Sequence, residues 1–239
     1  MRLSRFSVFA AAILACFAVA GCGSDSNEQP MSRVRILNAS LVSNAGQPVD
    51  ILVNGQRIFT NVGFGATSAR TEVPAGASVP VTIQQAGTGV TVGTSNVNIT
   101  HSVDQTLLVT GVPSGTAGLQ YQVVALPPED LSSTPTSSQA RIYFVNAATN
   151  TTAAGSTATF TYTLSGGTAV TVSGVNFGEM TAAQLPTEGA YTISATVGGQ
   201  TVNIPMTLQG GKTYTIVLSG RTTTAGGVPA LALQVILDN

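Results

Sequence analysis

From Arg33 onward, apolar and polar residues alternate in short runs broken by glycine, and no long segment carries apolar residues at the three- and four-residue spacing of a helix. Successive side chains on a strand point to opposite faces, so this pattern specifies strands with one face buried and the other wet. Such runs are Arg33-Val-Arg-Ile36, Val79-Pro-Val-Thr-Ile83, Thr106-Leu-Leu-Val109 and Leu119-Gln-Tyr-Gln-Val-Val124. Val49-Asp-Ile-Leu-Val53 and Gln56-Arg-Ile-Phe59 flank Asn54-Gly55, a pair that tolerates the two positive φ angles of a type I′ turn and so predicts a hairpin. Similar breaks at Pro74-Ala75-Gly76, Ser165-Gly166-Gly167, Gly198-Gly199 and Gly210-Gly211 give the strand spacing of an all-β sandwich.

The pattern is written twice. Leu37-Asn38-Ala39 is echoed by Val145-Asn146-Ala147, Val62-Gly-Phe-Gly65 by Val175-Asn-Phe-Gly178, and Pro74 with Gly76-Ala77 by Pro186 with Gly189-Ala190. Order is kept further on, where Thr106-Leu-Leu-Val-Thr-Gly111 answers to Tyr214-Thr-Ile-Val-Leu-Ser-Gly220 and Gln122-Val-Val124 to Gln234-Val-Ile236. The offset of about 110 residues is one domain length. Pro127 to Gln139, rich in Pro, Ser and Thr, reads as a linker between the copies. A single larger sandwich or barrel would also satisfy the strand pattern.

The first residues have a different grammar. Arg2 and Arg5 precede an apolar stretch from Val8 to Ala20, which ends in the small residues and cysteine of Val19-Ala20-Gly21-Cys22. A helix of that length falls short of the roughly 20 residues needed to cross a bilayer, so a cleaved signal peptide is expected rather than a permanent span. Val19-Ala20-Gly21-Cys22 is similar to the lipobox of bacterial lipoproteins, in which the cysteine thiol receives a diacylglyceryl group before cleavage. That resemblance makes Cys22 the lipidation site and membrane lipid the first partner. Two acyl chains, at about 0.8 kcal/mol per buried CH₂, make a stable anchor. Gly23 to Pro30 offers nothing apolar to pack and reads as a tether. Gly23 is not the aspartate that resembles an inner-membrane retention signal in enteric bacteria, which favours the outer membrane.

Removing Arg2 and Arg5 leaves seven basic against ten acidic residues, a net charge near −3, and no basic field for nucleic acid. Cys16 falls in the signal peptide and Cys22 is expected to be alkylated, so no disulfide is available and packing alone must stabilise the fold. The expected organisation is a signal peptide over 1–21, the lipidated cysteine and tether over 22–32, a first β-sandwich over 33–126, a linker over 127–139 and a second β-sandwich over 140–239.

Arg33-Val-Arg-Ile-Leu-Asn-Ala-Ser40, Val49-Asp-Ile-Leu-Val-Asn-Gly55, Val62-Gly-Phe-Gly65 and Glu72-Val-Pro-Ala-Gly76 resemble the DUF4397 family of exported bacterial proteins. The second copy keeps only the Val-Asn-Ala, Asn-Phe-Gly and Pro-Gly landmarks. The resemblance implies an immunoglobulin-like sandwich and no particular activity. The fold class expected is therefore all-β, two tandem immunoglobulin-like antiparallel sandwiches.

Catalytic chemistry finds little to work with. His101 is the chain's one histidine; Ser102 and Asp104 follow it in what reads as a strand end and turn, and no Gly-x-Ser-x-Gly elbow or Ser-x-x-Lys pair accompanies them. Zinc lacks clustered Cys and His, and the acids Asp50, Glu72, Asp104, Glu129, Asp130, Glu179, Glu188 and Asp238 are scattered without a calcium loop. Gly87-Thr-Gly-Val-Thr-Val-Gly93 precedes no helix and reads as a hairpin turn rather than a phosphate loop. Neither cofactor, metal nor catalytic residue is expected. There is no Trp, and among the aromatics Phe64 and Phe177 stand apart because both copies place Phe before Gly after a strand.

The function expected is a non-enzymatic binding or structural module of the cell envelope, engaging an envelope protein or polysaccharide. Two alternatives are a hydrolase built on paired carboxylates, acting on envelope polymers, and a subunit of an envelope assembly joined by strand addition.

Overall fold

The computed structural model describes residues 29–41, 47–111, 120–128, 134–149, 157–222 and 230–238. Fifteen strands follow one another without a helix among these residues. They are β1 (Met31–Asn38), β2 (Val49–Val53), β3 (Gln56–Val62), β4 (Thr71–Pro74), β5 (Gly76–Gln85), β6 (Thr91–Ile99), β7 (Asp104–Thr110) and β8 (Gln122–Ala125) in the first half. The second half holds β9 (Arg141–Asn146), β10 (Ala158–Leu164), β11 (Ala169–Val175), β12 (Gly189–Val197), β13 (Gln200–Leu208), β14 (Thr213–Ser219) and β15 (Ala232–Asp238).

The first half pairs its strands as β4-β1-β7-β8 and β3-β2-β5-β6, and the second as β15-β14-β9 and β11-β10-β12-β13. Strand for strand, β9 to β15 repeat β1 to β3 and β5 to β8. The place of β4 is taken by the isolated bridges Gln139↔Thr187 and Ile142↔Gln184, while Val145↔Met180 answers to Leu37↔Thr67 in the first half. Between the named strands all pairings are antiparallel except β1 with β7 and β9 with β14. This gives the expected antiparallel layers an order of their own. In an immunoglobulin constant domain the first, second, fifth and fourth strands share a sheet, whereas here the first strand lies beside the seventh.

The hairpin turns follow their chemistry. Asn54 and Gly55 both take positive φ between β2 and β3, and Gly87 and Gly89 do the same between β5 and β6. One sequence echo proves to be out of register. Thr110 pairs with Gln122 and Ser219 with Ala232, so Gln122 corresponds to Ala232, and Val124 rather than Gln122 corresponds to Gln234. The even shift kept the same residues on the same face, which is why the apolar pattern concealed it.

Three apolar clusters hold the chain. Val34, Ile36, Ile51, Ile83, Leu107 and Val109 belong to the core of the first half. In the second half Phe144 stacks on Phe160 at 4.8 Å between ring centres, with Tyr162 6.0 Å from Phe144 and Tyr191 6.2 Å from Tyr162. The third cluster joins the halves through Leu37, Ala39, Leu108, Leu126, Val145, Ala147 and Val217. These residues alternate along β1, β7, β9 and β14 with those of the two cores, so the four strands are buried on both faces. The expectation of one wet face per strand fails here, and consecutive Leu107-Leu-Val109 and Ile216-Val-Leu218 are the sequence trace of it.

Candidate functional site

The seam between the halves is built from the repeated landmarks. Asn38 is fully buried; its Nδ2 donates to the Val62 carbonyl at 2.8 Å, and its Oδ1 accepts from the Ser40 amide at 3.0 Å. Asn146 does the same with the Val175 carbonyl at 2.9 Å and the Ala148 amide at 3.2 Å. Each asparagine thus pins the end of β3 or β11 to the strand beside the seam. Behind each, the Phe-Gly turn closes with a glycine amide donating to the asparagine carbonyl at 2.7 Å, from Gly65 to Asn38 and from Gly178 to Asn146.

Those glycines meet the opposite half. Both have positive φ; a β-carbon on Gly65 would collide with the Gln234 amide, and one on Gly178 would lie 3.5 Å from Val124 Cγ2. Since Val124 and Gln234 occupy equivalent positions, the contact is reciprocal, as across the axis of a two-fold dimer. Phe64 and Phe177 come together at this place, half-buried on Leu41.

The seam carries one buried ion pair. Arg35 on β1 reaches Asp238 on β15, with side chains only 7% and 0% exposed. Arg35 Nε donates to Thr106 Oγ1 at 2.8 Å and Thr215 Oγ1 donates to Asp238 Oδ2 at 2.7 Å. The Arg35 contact to Oδ1 is a charge contact without the alignment of a hydrogen bond.

Six buried side-chain polar atoms lack a hydrogen-bond partner among the described residues. Two of them, on Arg70 and Asp238, belong to ion-paired groups. The other four are Thr110 Oγ1, Ser219 Oγ, Arg221 Nε and Gln234 Oε1. Thr110 and Ser219 end β7 and β14 at equivalent positions, on the face that Leu108 and Val217 turn to the seam. Gln234 faces Gly65 across it, and Arg221 follows Ser219 by two residues, bridging Thr149 and Ala230. Native interiors rarely leave such groups unpaired, yet all four gather at the end of the seam that Phe64 and Phe177 border.

The residues singled out in the sequence fare differently. Cys22, the segment 1–21 and Glu129-Asp130 lie outside the described residues. His101 is exposed on a turn, its Nε2 2.9 Å from Ser102 Oγ, while Asp104 faces Arg33 at 3.7 Å and Arg70 at 3.7 Å. Asp50 holds Arg57 at 3.6 Å and accepts from the Asn61 amide at 2.8 Å. Glu179 accepts from Asn176 at 3.0 Å, Glu188 from the Gly210 amide at 3.4 Å, and Glu72 is exposed on β4. Among the described residues no group of three or more His, Cys, Asp or Glu could hold a metal ion. Arg35, Thr110, Ser219, Arg221 and Gln234 escaped sequence reasoning; the signal open to it was the doubled apolar run on β7 and β14, which implies a second buried face.

A second surface distinguishes the halves. In the first, Gly93 lets β6 approach Tyr121, whose carbonyl oxygen would lie 2.8 Å from any β-carbon there, and Ser95 Oγ accepts from the Val123 amide at 2.9 Å, closing β6 onto β8. Gly93 pairs with Ile83 and Val202 with Ala195, Ser95 with Val81 and Ile204 with Ile193, so Val202 and Ile204 replace the glycine and the serine in the second half. Their bulk leaves that edge open. Val235 and Leu237, core-facing on β15, are 40% and 46% exposed.

The two all-β halves thus meet along a buried seam, with unpartnered polar groups at one end of it. The profile of the DUF4397 family, a domain of unknown function, matches residues 32–154, just over half of the chain, and the chain belongs to that family. Among curated proteins none matches it in sequence. Among solved structures, the TIE protein of Bacillus anthracis overlaps 80% of this chain at 12% identity and a TM-score of 0.27, and the chain spans 34% of that protein's length. A candidate cell adhesion protein of Bacteroides ovatus overlaps 87% of this chain and 96% of its own, at 6% identity and a TM-score of 0.23. With scores this low, the fold description rests on the strand order alone.

Proposed function

We propose that this chain is a lipid-anchored, extracytoplasmic module of the cell envelope that binds an envelope polymer or protein without catalysing a reaction. Membership of the DUF4397 family and the signal-like first segment ending at Cys22 support the address. The observation that carries the binding reading is the distribution of polar groups. The described acids other than Glu72 are each held by a partner within the chain, whereas four unpartnered groups lie toward one end of the seam. Two tests apply. Intact-mass analysis of the purified protein should find residues 1–21 removed and a diacylglyceryl thioether on Cys22, with Cys22→Ala released from the membrane fraction; an unmodified thiol on a membrane-retained chain would count against the anchor. Cross-linking in intact cells should recover a stable envelope neighbour, and recovery of none would count against binding.

The open edge of the second sandwich favours a second reading, a subunit joined by strand addition. The Val123 amide points away from β7 to Ser95, and alternate residues share that direction, so the backbone groups of the equivalent Leu233, and of Val235 and Leu237, point outward from β14. β15 carries neither Lys nor Pro to blunt the edge. A Val235→Lys substitution should then abolish any assembly that depends on β15 and leave the fold intact by circular dichroism. Unchanged assembly would remove this reading.

A further inference from the structure

We propose that the end of the seam marked by Thr110, Ser219, Arg221 and Gln234 is a binding site for a hydroxylated carboxylate of the sugar-acid class. The inference rests on the binding reading above and names its ligand. Four unpartnered polar atoms at one place are a set of complementary demands rather than four accidents. Arg221 has a guanidinium with no acid paired to it among the described residues, and that planar fork suits a carboxylate. Gln234 Oε1 is an acceptor that needs a donor, which a ligand hydroxyl supplies. The Ser219 and Thr110 hydroxyls can each donate and accept, as the neighbouring hydroxyls of a sugar ring do. Leu41, Phe64 and Phe177 border the same end of the seam and offer apolar surface to the C–H face of such a ring.

Arg221 and Gln234 are half-exposed, so an arriving ligand meets them first. Thr110 and Ser219 lie behind them, with no exposed surface in the unliganded chain. The carboxylate gives orientation through Arg221, and the hydroxyls give selectivity over simple anions, because an anion without hydroxyls leaves the buried acceptor unpaired.

Titration of the full chain, purified in detergent, with glucuronate, glucose, acetate and inorganic phosphate tests this by calorimetry and by shift of melting temperature. Glucuronate should bind saturably and at least tenfold more tightly than the other three. Arg221→Gln should weaken it tenfold or more at unchanged melting temperature of the free protein, and Gln234→Leu should narrow the preference over acetate. Absence of saturable glucuronate binding, equal binding of phosphate, or an Arg221→Gln form that binds as well as the parent would each overturn the assignment. If glucuronate fails while cross-linking still recovers an envelope neighbour, the ligand class falls and the binding reading stands; loss of both removes the broader reading as well.

Discussion

At the scale of single residues, charge and burial set the sharpest expectations. Asp238 and Arg35 neutralise each other inside the seam, so Asp238→Ala leaves a buried cation and should cost about 3–5 kcal/mol in denaturant unfolding, whereas the pair Arg35→Met with Asp238→Leu should recover most of that loss. An equal loss from single and double changes would show that the charges matter only as packing. In the second core, burial raises the Tyr162 hydroxyl above its ordinary 10.0, with the neighbouring Tyr191 adding to the effect. The unfolded chain gives up this proton near pH 10 and the folded chain at a higher pH, so the contribution is complete below that value and is lost as pH climbs through the folded one. Tyr162→Phe should therefore flatten the fall of stability as pH climbs above the ordinary tyrosine value of 10.0; an unaltered alkaline limb would place the titrating group elsewhere. Asn38 and Asn146 were legible in the sequence as landmarks, but their work in fastening a neighbouring strand was not, because a carbonyl 24 residues away leaves no mark on local pattern.

Among the elements, hairpins were the most readable, since Asn54-Gly55 dictates its own turn. Strand alternation was readable wherever a strand has one partner layer, as in β5 and β12, and misleading in β1, β7, β9 and β14, where a second layer covers the other face. The parallel neighbours of β1 and β9 could not be inferred, because their partners lie about 70 residues away and alternation carries no direction. The difference between β6 and β13 comes down to two positions. Gly93→Val should push β6 from β8, expose apolar surface of the first half and cost about 2–3 kcal/mol, seen as increased dye binding and a lowered melting temperature. A variant as stable as the parent would mean that Tyr121 moves aside freely.

For the whole molecule, the seam decides how the halves behave. Its residues are as buried as those of either core, so neither half has a soluble outer face where the other now sits. Heating should give a single calorimetric transition, and Leu108→Asp, which buries a charge at the joint, should split it in two or lower it sharply. Two resolved transitions in the parent would mark the halves as independent. The repeat was visible in the sequence, yet the way its copies meet was not: Gly65 and Gly178 read as turn residues, and only their reciprocal reach to Gln234 and Val124 gives the joint its symmetry. A joint that accepts the same surface from either side is indifferent to which chain supplies it. Two molecules at high concentration could trade their C-terminal halves, each completing the other, and the exchanged form would keep the seam contacts of the original.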